Sequence, residues 1–240
     1  MLNLRSLLVG LCAVLLSPAP VTAQVADPAS LSPGEHHTVV NGVRLWYRVA
    51  GRPEGTPVVF LHGGPGQGGQ TFARFAGPGL EPHLRMVYLD QRGSGRSERP
   101  WNDAYSLDLL VDDLEQLRRA WGVEKITLVG HSFGTILALE YAAEHPERTE
   151  RVVLTAAVPD LQGALDLQCV RLERLDPTTY ARAVAERPED FAARCNPFAA
   201  GRAFVDGAMY PDPATMALVD ATDSADGLSN TGEIGRVLFG

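Results

Sequence analysis

The chain has 240 residues, of which 45% are hydrophobic and 21% are charged, a composition typical of a globular protein with room for one sizeable core. Its formal net charge is -8. This acidic balance argues against a nucleic-acid-binding protein, because such proteins carry a basic patch.

Residues 1–23 have the pattern of a signal peptide. Arg5 supplies a positive charge, Leu7 to Leu16 form an apolar stretch, and Val21-Thr22-Ala23 is a small-residue cleavage site. The apolar stretch is shorter than the roughly 20 residues that span a bilayer, although an uncleaved anchor is the alternative. We expect a secreted or periplasmic protein with no stable membrane anchor.

Two cysteines, Cys169 and Cys195, follow the signal peptide. In an exported protein, such a pair allows one disulfide. Two buried thiols are the alternative, because the sequence does not show whether the cysteines are close in space. Their spacing does not match a zinc site.

The next elements along the chain alternate between strands and helices. Asn41-Gly42 predicts the turn of a β-hairpin, because this dipeptide readily takes the positive φ angles of a two-residue turn. Apolar residues at helical spacing from Leu107 to Trp121 follow a plausible N-cap, Ser106, and a second helix is predicted from Thr135 to His145. Four short apolar runs predict buried strands: Pro57 to Leu61, Met86 to Leu89, Ile126 to Val129 and Val152 to Ala156.

This alternation predicts a mostly parallel sheet covered by helices on both faces. From Pro159 onward the sequence is helical in character and has no convincing buried strand. We therefore predict a core over residues 24–158, followed by a helical cap region over residues 159–240.

The strongest chemical signal is the G-x-S-x-G pattern Gly130-His131-Ser132-Phe133-Gly134. It follows a predicted strand and opens a predicted helix, which is the context of a nucleophile elbow. A Cβ at either glycine would crowd the tight turn that exposes the serine hydroxyl. The pattern predicts Ser132 as a catalytic nucleophile.

A second glycine-rich segment, His62-Gly63-Gly64-Pro65-Gly66, follows another predicted strand. An oxyanion needs two N–H donors aimed at it. We predict that Phe133 supplies one backbone N–H and Gly64 the other, with Gly63 as the rival.

Three segments occur in a fixed order: HGGPG at 62–66, DQRGSGRS at 90–97 and GHSFG at 130–134. In this order they resemble the proline iminopeptidase family of α/β-hydrolases, which are serine aminopeptidases. The resemblance covers roughly Val43 to Ala157. It implies an α/β-hydrolase fold with a helical cap insertion, a peptide substrate and a bracing role for the 90–97 loop, and it implies no metal or organic cofactor.

Two features depart from that family. Its elbow is commonly GGSWG, whereas this chain has GHSFG, which many other peptidases and esterases share. The family binds the substrate's free amine with glutamates of the cap, and Glu173 and Glu233 are candidates here by residue type only. An esterase or lactonase that takes a small ester substrate is therefore a second hypothesis, and a non-catalytic binding protein is a third.

The triad order in this fold is serine, then an acid, then a histidine. The six histidines are His36, His37, His62, His83, His131 and His145, so none lies after residue 145. We expect the sequence to be truncated before the last strands and the triad acid and base. Because a serine hydroxyl is a weak nucleophile without a base, the 240-residue chain is expected to be nearly inert.

Overall fold

The computed structural model describes residues 29–188, 212–224 and 229–239. The predicted signal peptide lies outside these residues, as does Cys195. Cys169 is buried and disulfide-bonded. In the described part of the chain, no helix is both long enough and apolar enough to cross a bilayer.

The described residues form one mixed sheet of six strands in the order β1-β2-β4-β3-β5-β6. β1 pairs antiparallel with β2, and β2 pairs antiparallel with β4, whereas the pairs β4–β3, β3–β5 and β5–β6 are parallel. The prediction of a mostly parallel sheet is confirmed. The strands are β1 (Gly34–Val40), β2 (Val43–Gly51), β3 (Val58–Leu61), β4 (Arg85–Asp90), β5 (Ile126–His131) and β6 (Thr149–Thr155).

The turn between β1 and β2 has the predicted hairpin geometry. Asn41 has a φ of 48° and Gly42 a φ of 73°, which are the positive angles of a type I′ turn. The Asn41 side chain also donates a hydrogen bond to Asp113 at 2.9 Å. The turn is therefore attached to a helix that packs against the sheet.

Helices lie on both faces of the sheet. The α-helices of the described residues are α1 (Gln70–Phe75), α2 (Gly77–Leu80), α3 (Leu107–Ala120), α4 (Phe133–Glu144), α5 (Leu161–Leu175), α6 (Pro177–Glu186), α7 (Pro213–Ser224) and α8 (Thr231–Phe239).

The apolar residues of the sheet divide into two core clusters. On one face, Leu114 of α3 and Leu137 of α4 pack with Leu45, Leu61 and Leu128 of the strands. The smaller cluster on the other face contains α1 and α2 packed against β3, β4 and β5. This arrangement sets the predicted nucleophile directly after β5, an interior strand of the sheet that is buried up to its last residue.

The two predicted helices of the core form, with shifts of one or two residues at their ends. Ser106 caps α3, since its hydroxyl accepts a hydrogen bond from the Leu109 N–H at 3.1 Å. The helix predicted from Thr135 instead begins at Phe133. The reason is that the chain turns within the single residue Ser132, so the helix starts directly after it.

After β6, the regular secondary structure that the structure describes is all helical. β6 is the last strand of the described sheet. Its apolar side chains are partly open to solvent, since Val153 is 47% exposed and Leu154 is 39% exposed. Within the described residues, this side of the sheet therefore ends in an apolar edge.

Candidate active site

Ser132 occupies a sharp turn between β5 and α4. Its backbone angles are φ 51° and ψ -121°, a region that residues other than glycine rarely adopt and that costs on the order of 1–3 kcal/mol. Such strain persists only where the surroundings fix the backbone. The Ser132 N–H donates to the Thr155 carbonyl oxygen at 3.1 Å, and its own carbonyl oxygen accepts from the Thr135 N–H at 2.8 Å.

The glycines on either side of the turn leave no room for a side chain. A Cβ on Gly130 would lie 2.5 Å from the carbonyl oxygen of Gly134, and a Cβ on Gly134 would lie 2.0 Å from the carbonyl oxygen of Leu61. Both distances are far shorter than a normal contact. Glycine is therefore required at both positions by the close approach of β3, β5 and α4.

Two threonine hydroxyls, which sequence reasoning did not identify, fasten this turn. The Thr135 hydroxyl donates to the Ser132 carbonyl oxygen at 2.6 Å and accepts from the Val158 N–H at 3.0 Å. The Thr155 hydroxyl donates to the Gly130 carbonyl oxygen at 3.1 Å. The strained serine is thus hydrogen-bonded directly to β6, and through Thr135 it is linked to the segment that follows β6.

The 62–66 loop reaches the predicted nucleophile. A Cβ on Gly63 would lie 2.9 Å from the Cβ of Ser132, so the two residues are in close contact. Gly64 and Pro65 line the same small cavity, of about 50 Å³, as Ser132 and Phe133. The structure therefore brings together the three residues predicted for the nucleophile and the oxyanion hole.

His62 supports this loop through both of its ring nitrogens. Its Nε2 accepts a hydrogen bond from the Gln91 N–H at 3.1 Å, so the ring proton is on Nδ1, which donates to the Gly63 carbonyl oxygen at 2.9 Å. The Gln91 side chain donates to the His62 carbonyl oxygen at 3.1 Å. With both nitrogens used, this imidazole has no site left for the proton of Ser132.

The other histidines are no better placed. All six lie within the described residues, and no hydrogen bond joins any of them to the Ser132 hydroxyl. The His131 imidazole lies beside Gly63, with its Nδ1 3.2 Å from where a Cβ on that glycine would be. Burial lowers the pKa of its imidazole. His145 packs against Tyr141 at the end of α4, with ring centroids 5.0 Å apart.

The 90–97 loop is largely buried and is bonded to its neighbours, so it is not a solvated turn. Asp90 accepts hydrogen bonds from the N–H groups of Gly69 and Arg96 at 2.7 and 2.8 Å. Arg92 forms two hydrogen bonds to the Asp113 carboxylate, both of 2.7 Å. These contacts join the loop to the residue before α1 and to α3, so the loop braces the sheet beside the site.

The two candidate glutamates have different environments. Glu173 is exposed on α5. Glu233 is half-buried on α8, and its carboxylate accepts a hydrogen bond from the Tyr105 hydroxyl at 2.7 Å. This hydrogen bond holds the pKa of Glu233 below its ordinary value. Glu233 is therefore a bonded carboxylate rather than a solvated surface charge.

The described residues contain no group of three or more His, Cys, Asp or Glu side chains that could hold a metal ion. The chemistry that the geometry supports is that of a serine at a strained turn, next to a glycine-rich loop.

Comparison with known proteins agrees with the fold. Residues 56–200 match the family model described as alpha/beta hydrolase fold. A proline iminopeptidase of Xylella fastidiosa is 43% identical over 128 residues, which is 52% of this chain and 40% of that protein. One from Neisseria meningitidis is 43% identical over 115 residues, which is 46% of this chain and 36% of that protein. The match thus spans less than half the length of either relative.

Solved structures show the same fold. The proline iminopeptidase-related protein of Thermus thermophilus superposes with a TM-score of 0.65 at 28% identity, covering 85% of this chain and 70% of that one. The proline iminopeptidase of Mycobacterium smegmatis has a TM-score of 0.58 at 20% identity, covering 84% and 69% respectively, which supports the fold alone.

Proposed function

Because this chain belongs to the α/β-hydrolase fold family, we propose that it is a serine hydrolase with Ser132 as its nucleophile, and that its substrates are peptides from which it removes the N-terminal residue. The observation that carries the proposal is the positive φ of Ser132 between a buried strand and a helix. A strained serine in this context is the signature of a nucleophile elbow.

The proposed reaction is acyl transfer in two steps. The Ser132 hydroxyl oxygen bonds to the substrate carbonyl carbon, a base takes the hydroxyl proton and passes it to the leaving amine, and the C–N bond breaks. Water then releases the acyl group by the same route in reverse. The developing oxyanion is held by the N–H groups of Gly64 and Phe133. Their position around one cavity with Ser132 supports this assignment.

The peptide substrate follows from the relatives. Those compared are named as proline iminopeptidases, at 43% identity. The three motifs in their order, HGGPG, DQRGSGRS and GHSFG, support the same choice. Glu233 is the better of the two glutamate candidates for the substrate's amine, because it is half-buried, its carboxylate is held by Tyr105, and α8 also borders a cavity with Phe133.

The acid and the base of the triad are not assigned to residues of this chain. His62 uses both ring nitrogens in hydrogen bonds with Gly63 and Gln91, and within the described residues no hydrogen bond joins any of the other five histidines to the Ser132 hydroxyl. In another serine protease, losing the histidine costs on the order of a million-fold in turnover. The 240-residue chain alone is therefore expected to hydrolyse peptides more slowly than an intact serine peptidase by about that factor.

The test is a substrate panel with the native gene product, comparing proline-β-naphthylamide with p-nitrophenyl esters and using Ser132→Ala as the matched control. The proposal expects amide hydrolysis that the alanine variant loses. Ester hydrolysis without amide hydrolysis would favour the esterase or lactonase hypothesis instead. His131 favours that second candidate. The elbow pattern of the proline iminopeptidase family has glycine at this position, whereas here an imidazole lies beside Gly63. No hydrolysis of either kind would favour the binding protein.

We also propose export, on the charged, apolar and small-residue pattern of residues 1–23. Sequencing the N-terminus of the protein from its own cells tests this proposal. A mature chain that begins at Gln24 supports it, and a chain that retains Met1 contradicts it.

A further inference from the structure

The segment immediately before α8 lies on the 62–66 loop. The N–H of Asn230 donates to the carbonyl oxygen of Gly66 at 2.8 Å, and the Asn230 side-chain amide donates to the carbonyl oxygen of Gly93 at 3.1 Å. Asn230 is only 7% exposed. One buried residue therefore ties the loop after β3 to the loop after β4.

Glycines in the 62–66 loop make room for this contact. A Cβ on Gly66 would lie 2.7 Å from both the carbonyl carbon and the carbonyl oxygen of Asn230, and one on Gly64 would lie 3.1 Å from the side-chain methyl of Thr231. Their φ angles are +97° and +115°, which favour glycine in any case. Glycine at these two positions thus allows Asn230 and Thr231 to pack against the loop.

A second contact holds the start of α8. The Tyr105 hydroxyl donates to Glu233 at 2.7 Å. The ring of Tyr105 covers Gly93, since a Cβ there would lie 2.5 Å from the ring. At the far end of the helix, Leu238 packs against the larger core cluster. The helix is therefore held at both ends, and its first turn packs against the 62–66 loop.

A glycine-rich loop has many accessible conformations, and fixing it costs entropy. Within the loop itself, the Gln67 N–H to Gly63 carbonyl contact is long, at 3.3 Å. The contact from Asn230 to Gly66 is shorter and is buried, so it contributes more to holding the loop.

We propose that Asn230 is a positioning residue, which holds the 62–66 loop so that the Gly64 N–H stays aimed at the oxyanion. The oxyanion hole is then correctly arranged only when α8 is packed in place. The inference rests on the proposed function in one respect, the use of Gly64 as an oxyanion donor. The mechanical part, that Asn230 immobilises the loop, is independent of any activity.

The first measurement is hydrogen–deuterium exchange of the peptides that cover residues 63–68 in Asn230→Asp, whose carboxylate is repelled by the Gly93 carbonyl oxygen, so that residue 230 and its backbone N–H are drawn away from Gly66. Asn102→Asp is the control, because it makes the same chemical change at an exposed residue. We expect exchange in residues 63–68 to be about tenfold faster in the first variant and unchanged in the control. Unchanged exchange in both, or equal acceleration throughout the sheet, overturns the proposal.

The second measurement is turnover by the native gene product. Removing one oxyanion donor costs about 10² to 10³ in kcat, so a misaimed donor in Asn230→Asp is expected to lower kcat by about 10 to 100-fold while KM changes less than about twofold. Tyr105→Phe, which keeps the ring, is expected to shift both readouts in the same direction by less. A rise in KM at constant kcat contradicts the positioning role. If the wild-type protein shows no turnover but the exchange result holds, the proposed function fails while the immobilising role of Asn230 stands.

Discussion

Gly134 lies so close to Leu61 that a Cβ on the glycine would be 2.0 Å from the leucine carbonyl oxygen. This contact joins the first turn of α4 to the end of β3, and through it the elbow is placed beside the 62–66 loop. The glycine is needed because two backbones meet, rather than because of a positive φ angle.

Gly134→Ala is therefore expected to destabilise the protein by about 3 kcal/mol or more, since the added methyl group forces backbone movement in a packed region. Gly235→Ala is the matched control, because nothing lies within 4 Å of its Cβ position in α8, and alanine favours helix by up to about 1 kcal/mol. Urea unfolding of both variants measures the difference. Equal stabilities would contradict the close contact.

The strain at Ser132 has a measurable cost. Ser132→Gly removes the penalty of a positive φ, about 1–3 kcal/mol, although glycine also raises the entropy of the unfolded chain by about 0.5–1 kcal/mol. We expect a net gain of about 1 kcal/mol in unfolding free energy. Ser132→Ala keeps the Cβ and is expected to show no such gain. Thermal or urea unfolding distinguishes the two, and a less stable glycine variant would argue against strain.

The bracing of the 90–97 loop depends on the ion pair between Arg92 and Asp113, whose side chains are 2% and 4% exposed. Asp113→Ala leaves a buried guanidinium without its partner and is expected to cost about 3–5 kcal/mol. Glu147→Ala, which breaks an ion pair whose glutamate is 61% exposed, is expected to cost less than about 1 kcal/mol. Unfolding free energies in urea test both values. A small effect at Asp113 would show that the loop is held by other contacts.

Glu115 gives the protein a defined acid sensitivity. Its hydrogen bonds to Arg118 lower the pKa of this carboxyl from 4.5 to about 2. A lowered folded-state pKa means that the contribution to stability is complete above the unfolded value and is lost as pH falls through the folded one. We therefore expect unfolding free energy to fall between about pH 4.5 and 2.

Glu115→Gln tests this assignment. The variant should be less stable at pH 7, and its unfolding free energy should vary less with pH across the same acidic range. Denaturant titrations at several pH values provide the measurement. A pH dependence equal to that of the wild type would assign the acid sensitivity to other carboxylates.

The sequence predicted the features that local patterns determine. Apolar runs located the strands, and Asn41-Gly42 located the hairpin turn. The glycine spacing around Ser132 located the elbow, because only a tight strand-to-helix turn needs glycine at both flanks. These signals lie within a few residues of the structure they predict.

Contacts between distant polar residues were not predictable in this way. Nothing in the sequence pairs Thr135 with Val158, or Asn230 with Gly93, because hydrophobic periodicity reports which face is buried and not which polar groups meet there. Glu233 was identified by residue type, but its bond to Tyr105 joins two residues far apart in the chain.

The hydrogen bond from Ser132 to Thr155 also has a consequence for biosynthesis. The strained turn is anchored to a strand that is made after it, while the loop that faces it comes from a strand that is made long before. During translation, the hydrogen bond that anchors the serine to this strand therefore cannot form until β6 has left the ribosome and paired with β5. Until then one of the contacts that fix this residue is missing, so the strained geometry is completed late, after the other five strands of the described sheet have been synthesised.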